Sequence, residues 1–87
     1  MIFAWDEEAW ADYCYWQIQD KKTLQRINRL LEDIRRNAYK GIGKPEPLKY
    51  DLENYWSRRI DEKNRIVYKI EKDTVFIVQC GSHYRDK

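Results

Sequence analysis

Eighty-seven residues with 17 Lys and Arg against 15 Asp and Glu give a formal net charge of +2, which fits one small domain over 1–87 and leaves no room for a second. Hydrophobic residues are 43% and charged residues 37% of the chain, which suits a globular core and argues against disorder; no apolar run approaches the ~20 residues of a membrane helix. The first five residues lack the basic stretch and cleavage site of a signal peptide, and Cys14 and Cys80 make neither a disulfide framework nor a zinc set. Reduced thiols in the cytoplasm are the expectation, with at least one buried. Aromatic content is 15%, with four Trp and seven Tyr. Such rings build a small core economically. On an open face they stack on nucleobases. The count alone favours the core.

Met1 to Trp5 is apolar throughout and reads as a short strand buried on both faces. Asp6 is an N-cap, with Glu7 and Glu8 in the first turn where the helix dipole favours negative charge. Trp5 and Trp10 bracket that cap at the spacing of a hydrophobic staple. Trp10, Tyr13 and Cys14 continue a helix over about residues 7–18. Asp20 caps a second helix whose Leu24, Ile27, Leu31 and Ile34 form an amphipathic stripe, widened by Leu30. Arg35 and Arg36 suit its negative end and Asn37 closes it. The link between the helices allows only a tight turn, so they pair as a hairpin.

Residues 38–50 lose all periodicity. Gly41, Gly43, Pro45 and Pro47 make a shaped loop. Residues 55–60 read as a strand, 61–64 as a hairpin turn, 65–70 as an alternating strand, and 74–80 as the most apolar, central strand. The order is β-α-α-β-β-β: an α+β fold with an antiparallel sheet covered on one face by the helical hairpin. If Ile66, Tyr68 and Ile70 face the core, Arg65 and Lys69 point to the open face.

The charge is unevenly placed. Residues 1–20 carry five acids and no Lys or Arg, whereas 35–49 hold Arg35, Arg36, Lys40, Lys44 and Lys49 against Glu46 alone. A locally positive surface attracts phosphates even on a nearly neutral molecule. Metal chemistry lacks a ligand-spaced cluster, so no metal or cofactor is expected. No nucleophile elbow or phosphate-binding glycine loop is present. Acid–base chemistry on a phosphodiester remains. RNA supplies the nucleophile, its 2′-OH, and cleavage needs a base, an acid and cations. Glu46, Arg65 and the lone His83 are candidates for these jobs. Each also has a plain reading, as a loop acid, a strand-end charge and a tail residue.

The run Gly41-Ile42-Gly43-Lys44-Pro45-Glu46-Pro47-Leu48-Lys49 resembles the GxGxPExLK loop of the Txe/YoeB family of bacterial toxins, in the RelE/ParE superfamily. Trp56-Ser57-Arg58-Arg59-Ile60, Arg65-Ile66-Val67-Tyr68 and His83-Tyr84 resemble the family's WSRRI, RLVY and HY motifs, in the same order. The resemblance covers essentially the whole chain. It implies a RelE/ParE-like fold and a ribosome-dependent mRNA endonuclease that cleaves in the A site and is neutralised by a cognate antitoxin. Its partners would be that antitoxin, the 70S ribosome with its mRNA and, as in many such proteins, a second copy. By matching positions, Glu46 would be the general base, His83 the general acid and Arg65 the transition-state cation. Lys44, Lys49 and Arg59 would serve phosphate binding, and Tyr84 substrate positioning. Strand alternation sends Arg58 and Arg59 to opposite faces. A simple four-residue turn would place Arg58 on the face of Arg65, whereas the resemblance favours Arg59. The alternative is a non-catalytic ParE-like toxin or an antitoxin-binding co-repressor module.

Overall fold

The computed structural model describes residues 1–82. Strand β1 (Ile2–Trp5) leads into helices α1 (Glu7–Gln19) and α2 (Lys21–Arg36). Strands β2 (Glu46–Pro47), β3 (Trp56–Arg59), β4 (Arg65–Glu71) and β5 (Thr74–Gly81) follow, with a 3-10 turn at Tyr50–Leu52. Local chemistry starts and stops the helices as expected. The Asp6 side chain accepts from the Ala9 amide at 2.9 Å, and the Trp5 and Trp10 rings meet edge-on at 5.6 Å. Asp20 serves two helices at once. Its N–H donates to Trp16 O of α1, and its carboxylate accepts from the Lys22 and Thr23 amides of α2. The Thr23 bonds above all, with the Lys22 amide adding to them, hold that carboxyl below its usual range.

The strands form one sheet in the order β1-β5-β4-β3-β2. From β2 to β5 all pairings are antiparallel, as consecutive hairpins require. The antiparallel sheet expected from the C-terminal hairpins is present, and at one edge it is extended by β1, which runs parallel to β5, Ile2 opposite Thr74 and Trp5 opposite Ile77. The hairpin argument covers only strands joined by tight turns. β1 instead leaves through two helices and is joined by a strand distant in sequence. Nor is β1 buried on both faces. It pairs on one side only, and Ile2 stays 62% exposed.

On the covered face, Ile27, Leu30, Leu31 and Ile34 of α2 pack with Ala9, Ile66, Tyr68, Val75, Ile77 and Cys80. Strict alternation would turn Cys80 away from Val75 and Ile77. The register jumps from Val67 opposite Gln79 to Tyr68 opposite Ile77, so Val78 is an extra, bulged residue. That bulge returns Cys80 to the core. Both cysteines are free thiols and Cys80 is buried, as expected. Burial pushes its thiol up to about 12.

Two connections differ from the sequence reading. The 38–50 loop contains β2, whose Glu46 lies opposite Ser57 and Pro47 opposite Trp56. Pro47 is tolerated there because β2 is an edge strand. The β3–β4 turn spans residues 60–64 rather than 61–64. The Ile60 and Asp61 amides both donate to Asn64 O, and Arg59 lies opposite Arg65. The four-residue geometry, with Arg58 on the face of Arg65, is therefore corrected. Arg58 pairs with Ile66 on the covered face. Among the described residues, no helix is long and apolar enough to cross a membrane.

Candidate active site

Arg58 organises the loop that carries Glu46. Its side chain is fully buried, and its guanidinium makes five hydrogen bonds. Nε donates to Tyr68 Oη at 3.2 Å, and Nη1 donates to Asp33 Oδ2 at 2.6 Å and Ile42 O at 3.0 Å. Nη2 donates to Asn37 O at 2.7 Å and Lys40 O at 3.0 Å. These use every N–H an arginine has. The Tyr68 hydroxyl donates onward to Ala38 O at 2.6 Å, and Asp33 Oδ2 also accepts from the Ile42 amide at 3.0 Å. The Arg58 guanidinium, then the Ile42 amide, hold the Asp33 carboxyl below its usual range. Gly41 must be glycine: its φ is +129°, and a Cβ would lie 1.9 Å from Asp33 Oδ2. The Arg59 amide then donates to Gly43 O at 2.7 Å, joining the loop to β3 just ahead of Glu46.

The opposite face of the sheet collects the charged candidates. Register places Glu46 beside Ser57, Ser57 beside Val67, and Arg59 beside Arg65, all with side chains on that face. Arg65 reaches diagonally toward β2. Its Nη1 donates to Ser57 Oγ at 3.3 Å and lies 3.9 Å from Glu46 Oε1. Glu46 keeps 56% of its side chain exposed and Arg65 35%. Arg59 and Arg65, opposite each other across the strand pair, are like charges that repel, and the Glu46 carboxylate stands near Arg65. Such a surplus of positive charge, on side chains that reach solvent beside the buried Ser57 and Val67, suits an anionic ligand.

Of the expected site residues, Glu46, Arg59 and Arg65 are thus brought to one face. Lys44 and Lys49 occupy exposed positions on either side of Glu46, and Lys44 adopts a left-handed φ of 52°. His83 and Tyr84 lie outside the described residues. The sequence reading missed Ser57 as a partner of Arg65 and Arg58 as the clamp of the loop. The signal for Arg58 was there: adjacent arginines in a strand must split between faces, so one had to meet the core. Among the described residues no group of three or more His, Cys, Asp or Glu is placed to hold a metal ion.

Residues 5–84 match the family model described as YoeB-like toxin of bacterial type II toxin-antitoxin system. The chain belongs to this family. It is 49% identical over 84 residues to Toxin YoeB of Escherichia coli K12, covering 97% of this chain and 100% of that one. It is similar to YoeB from Staphylococcus aureus in its heterotetrameric complex with YefM, at 42% identity and a TM-score of 0.90, covering 97% of this chain and 98% of that one. The structure of a YoeB dimer from the same organism is similar at 44% identity and a TM-score of 0.89, with the same coverage. The family carries the α+β fold of two helices and a five-stranded mixed sheet described above.

Proposed function

We propose that this toxin is a ribosome-dependent mRNA endoribonuclease that cleaves translated mRNA in the A site and arrests translation. The observation that carries this reading is the meeting of Glu46 and Arg65 at 3.9 Å on the open face, beside Arg59. Glu46 takes the proton of a ribose 2′-OH, and the 2′ oxygen attacks the adjacent phosphorus. The 2′-O–P bond forms and the P–O5′ bond breaks. Arg65 stabilises the charge that builds on the non-bridging oxygens. His83 donates a proton to the departing 5′ oxygen, leaving a 2′,3′-cyclic phosphate and a 5′-OH. Gly81 lies opposite Arg65, and His83 follows it by two residues in the sequence, which supports that role. Arg59, Lys44 and Lys49 hold neighbouring phosphates, and Tyr84 positions the substrate. This division of labour uses side chains alone, without metal or cofactor.

The partners in this reading are a cognate antitoxin, the 70S ribosome with its mRNA, and a second copy of the chain, acting in the cytoplasm. The YefM complex and the dimer of the Staphylococcus aureus relative support the antitoxin and the second copy. The test is to map RNA 5′ ends after induction, and to assay the purified protein with and without ribosomes. Cuts inside translated codons that vanish in Glu46→Ala and His83→Ala are expected. Arg65→Ala should impair cleavage more than ribosome association, because phosphorane charge appears only in the transition state. Intact mRNA with DNA damage favours the non-catalytic ParE-like reading, and equal cleavage of free RNA removes the ribosome from the mechanism.

A further inference from the structure

We infer that Ser57 is a positioning residue, whose hydroxyl holds the Arg65 guanidinium at a set distance from Glu46. The inference rests on the nuclease reading and concerns the same site. Ser57 is fully buried and sits between the two charged groups, opposite Glu46 across one strand pair and diagonal to Arg65 across the next. Arg65 therefore has two acceptors within reach. One is neutral, Ser57 Oγ, already accepting from Nη1 at 3.3 Å. The other is charged, Glu46 Oε1, at 3.9 Å, beyond hydrogen-bond distance.

The charged acceptor is the stronger partner in isolation, since a charge-assisted hydrogen bond is about twice as strong as a neutral one. The guanidinium nevertheless stands off from the carboxylate. Arg59 lies opposite Arg65 on β3, the strand that also carries Ser57, so repulsion between the two arginines works against the approach of Arg65 to either acceptor, yet Nη1 stays bonded to Ser57 Oγ. The serine hydroxyl is what anchors it there. It fixes one N–H of Arg65 on the sheet surface and leaves both Glu46 oxygens open to an incoming hydroxyl. The gap matters to the reaction. A carboxylate locked to a guanidinium has its lone pairs occupied and is a poor base for a 2′-OH. Without the serine hydroxyl, Arg65 closes on Glu46, and base and cation quench each other before substrate arrives.

The test is single-turnover cleavage of a defined mRNA on programmed ribosomes, comparing the wild type, Ser57→Ala, Ser57→Thr and Glu46→Ala. The expected result for Ser57→Ala is a cleavage rate about 10- to 100-fold lower, the usual penalty for a misplaced reacting group. The ribosome concentration at half-saturation should stay within about twofold, because binding contacts elsewhere are intact. Ser57→Thr restores the hydroxyl, and with it most of the rate. A merely structural serine would not show this split between rate and saturation together with hydroxyl-dependent rescue. Wild-type cleavage by Ser57→Ala, or equal impairment of the Ala and Thr variants, overturns the inference while an inactive Glu46→Ala leaves the nuclease reading standing. Full activity of Glu46→Ala overturns both.

Discussion

Replacing Arg58 by lysine keeps the positive charge and removes the fan of donors. Arg58 uses five N–H groups on Asp33, Tyr68 and the carbonyls of Asn37, Lys40 and Ile42. Lysine offers three, all from one nitrogen. At least two of these part-buried bonds are then lost, at about 1–3 kcal/mol each. A loss of about 3 kcal/mol is a large part of the total for a chain of this size, where folding stability is about 0.05–0.15 kcal/mol per residue. At about 4–8 °C per kcal/mol for a domain of this length, the melting temperature should fall by at least about 12 °C. Arg59→Lys is the matched control. That side chain is exposed, so its replacement should change stability by less than about 0.5 kcal/mol. Thermal and urea melts followed by circular dichroism measure both. Equal melting of the two variants, or an Arg58→Lys loss below about 1 kcal/mol, would refute the assignment of Arg58 to the interior and Arg59 to the open face.

Asp33 has a native carboxyl held down by Arg58 and the Ile42 amide, so its stabilisation is present above the unfolded value of about 3.9. It is lost as pH falls through the lower native value. The urea midpoint should therefore drop on acidification below about pH 4, and Asp33→Asn should flatten part of that slope. Asp20, Glu32 and Asp61 are also held low and act in the same direction. Cys80 is fully buried with its thiol pushed up to about 12, whereas Cys14 is partly exposed. A thiol reagent should label Cys14 in the native protein and reach Cys80 only after denaturant is added.

How much was legible in the sequence depended on how local the physics was. Both helices could be read from residues next to one another: Asp6 and Asp20 as caps, the Trp5–Trp10 staple, the apolar stripe of α2. The hairpin strands followed from alternation and turns. Pairing between β1 and β5 was invisible, because nothing in Ile2–Trp5 names a partner some seventy positions away. The Val78 bulge was hidden for a related reason: an extra residue is defined only by the strand opposite. One residue of turn length, Ile60, decided which arginine faced the core, and the four-residue assumption inverted the answer. The site divides in the same way. Residue types and charge singled out Glu46, Arg65 and His83, and the family resemblance gave them roles. β2 carries Glu46 into the sheet beside Ser57, and the loop before it is held by Arg58 through contacts across 16 to 25 residues, which no local pattern announces.

The place of β5 has a consequence for biosynthesis. It is the last strand in chain order, yet it lies between β1 and β4, and the Trp16 indole of α1 donates to its Cys80 carbonyl at 2.9 Å. β2, β3 and β4 pair among themselves, but β1 waits for residues 74–81 before it can join the sheet. Non-local closure of this kind comes late in folding. A nascent chain that has not yet released residues 74–81 therefore lacks the strand that joins its first-made part to its last.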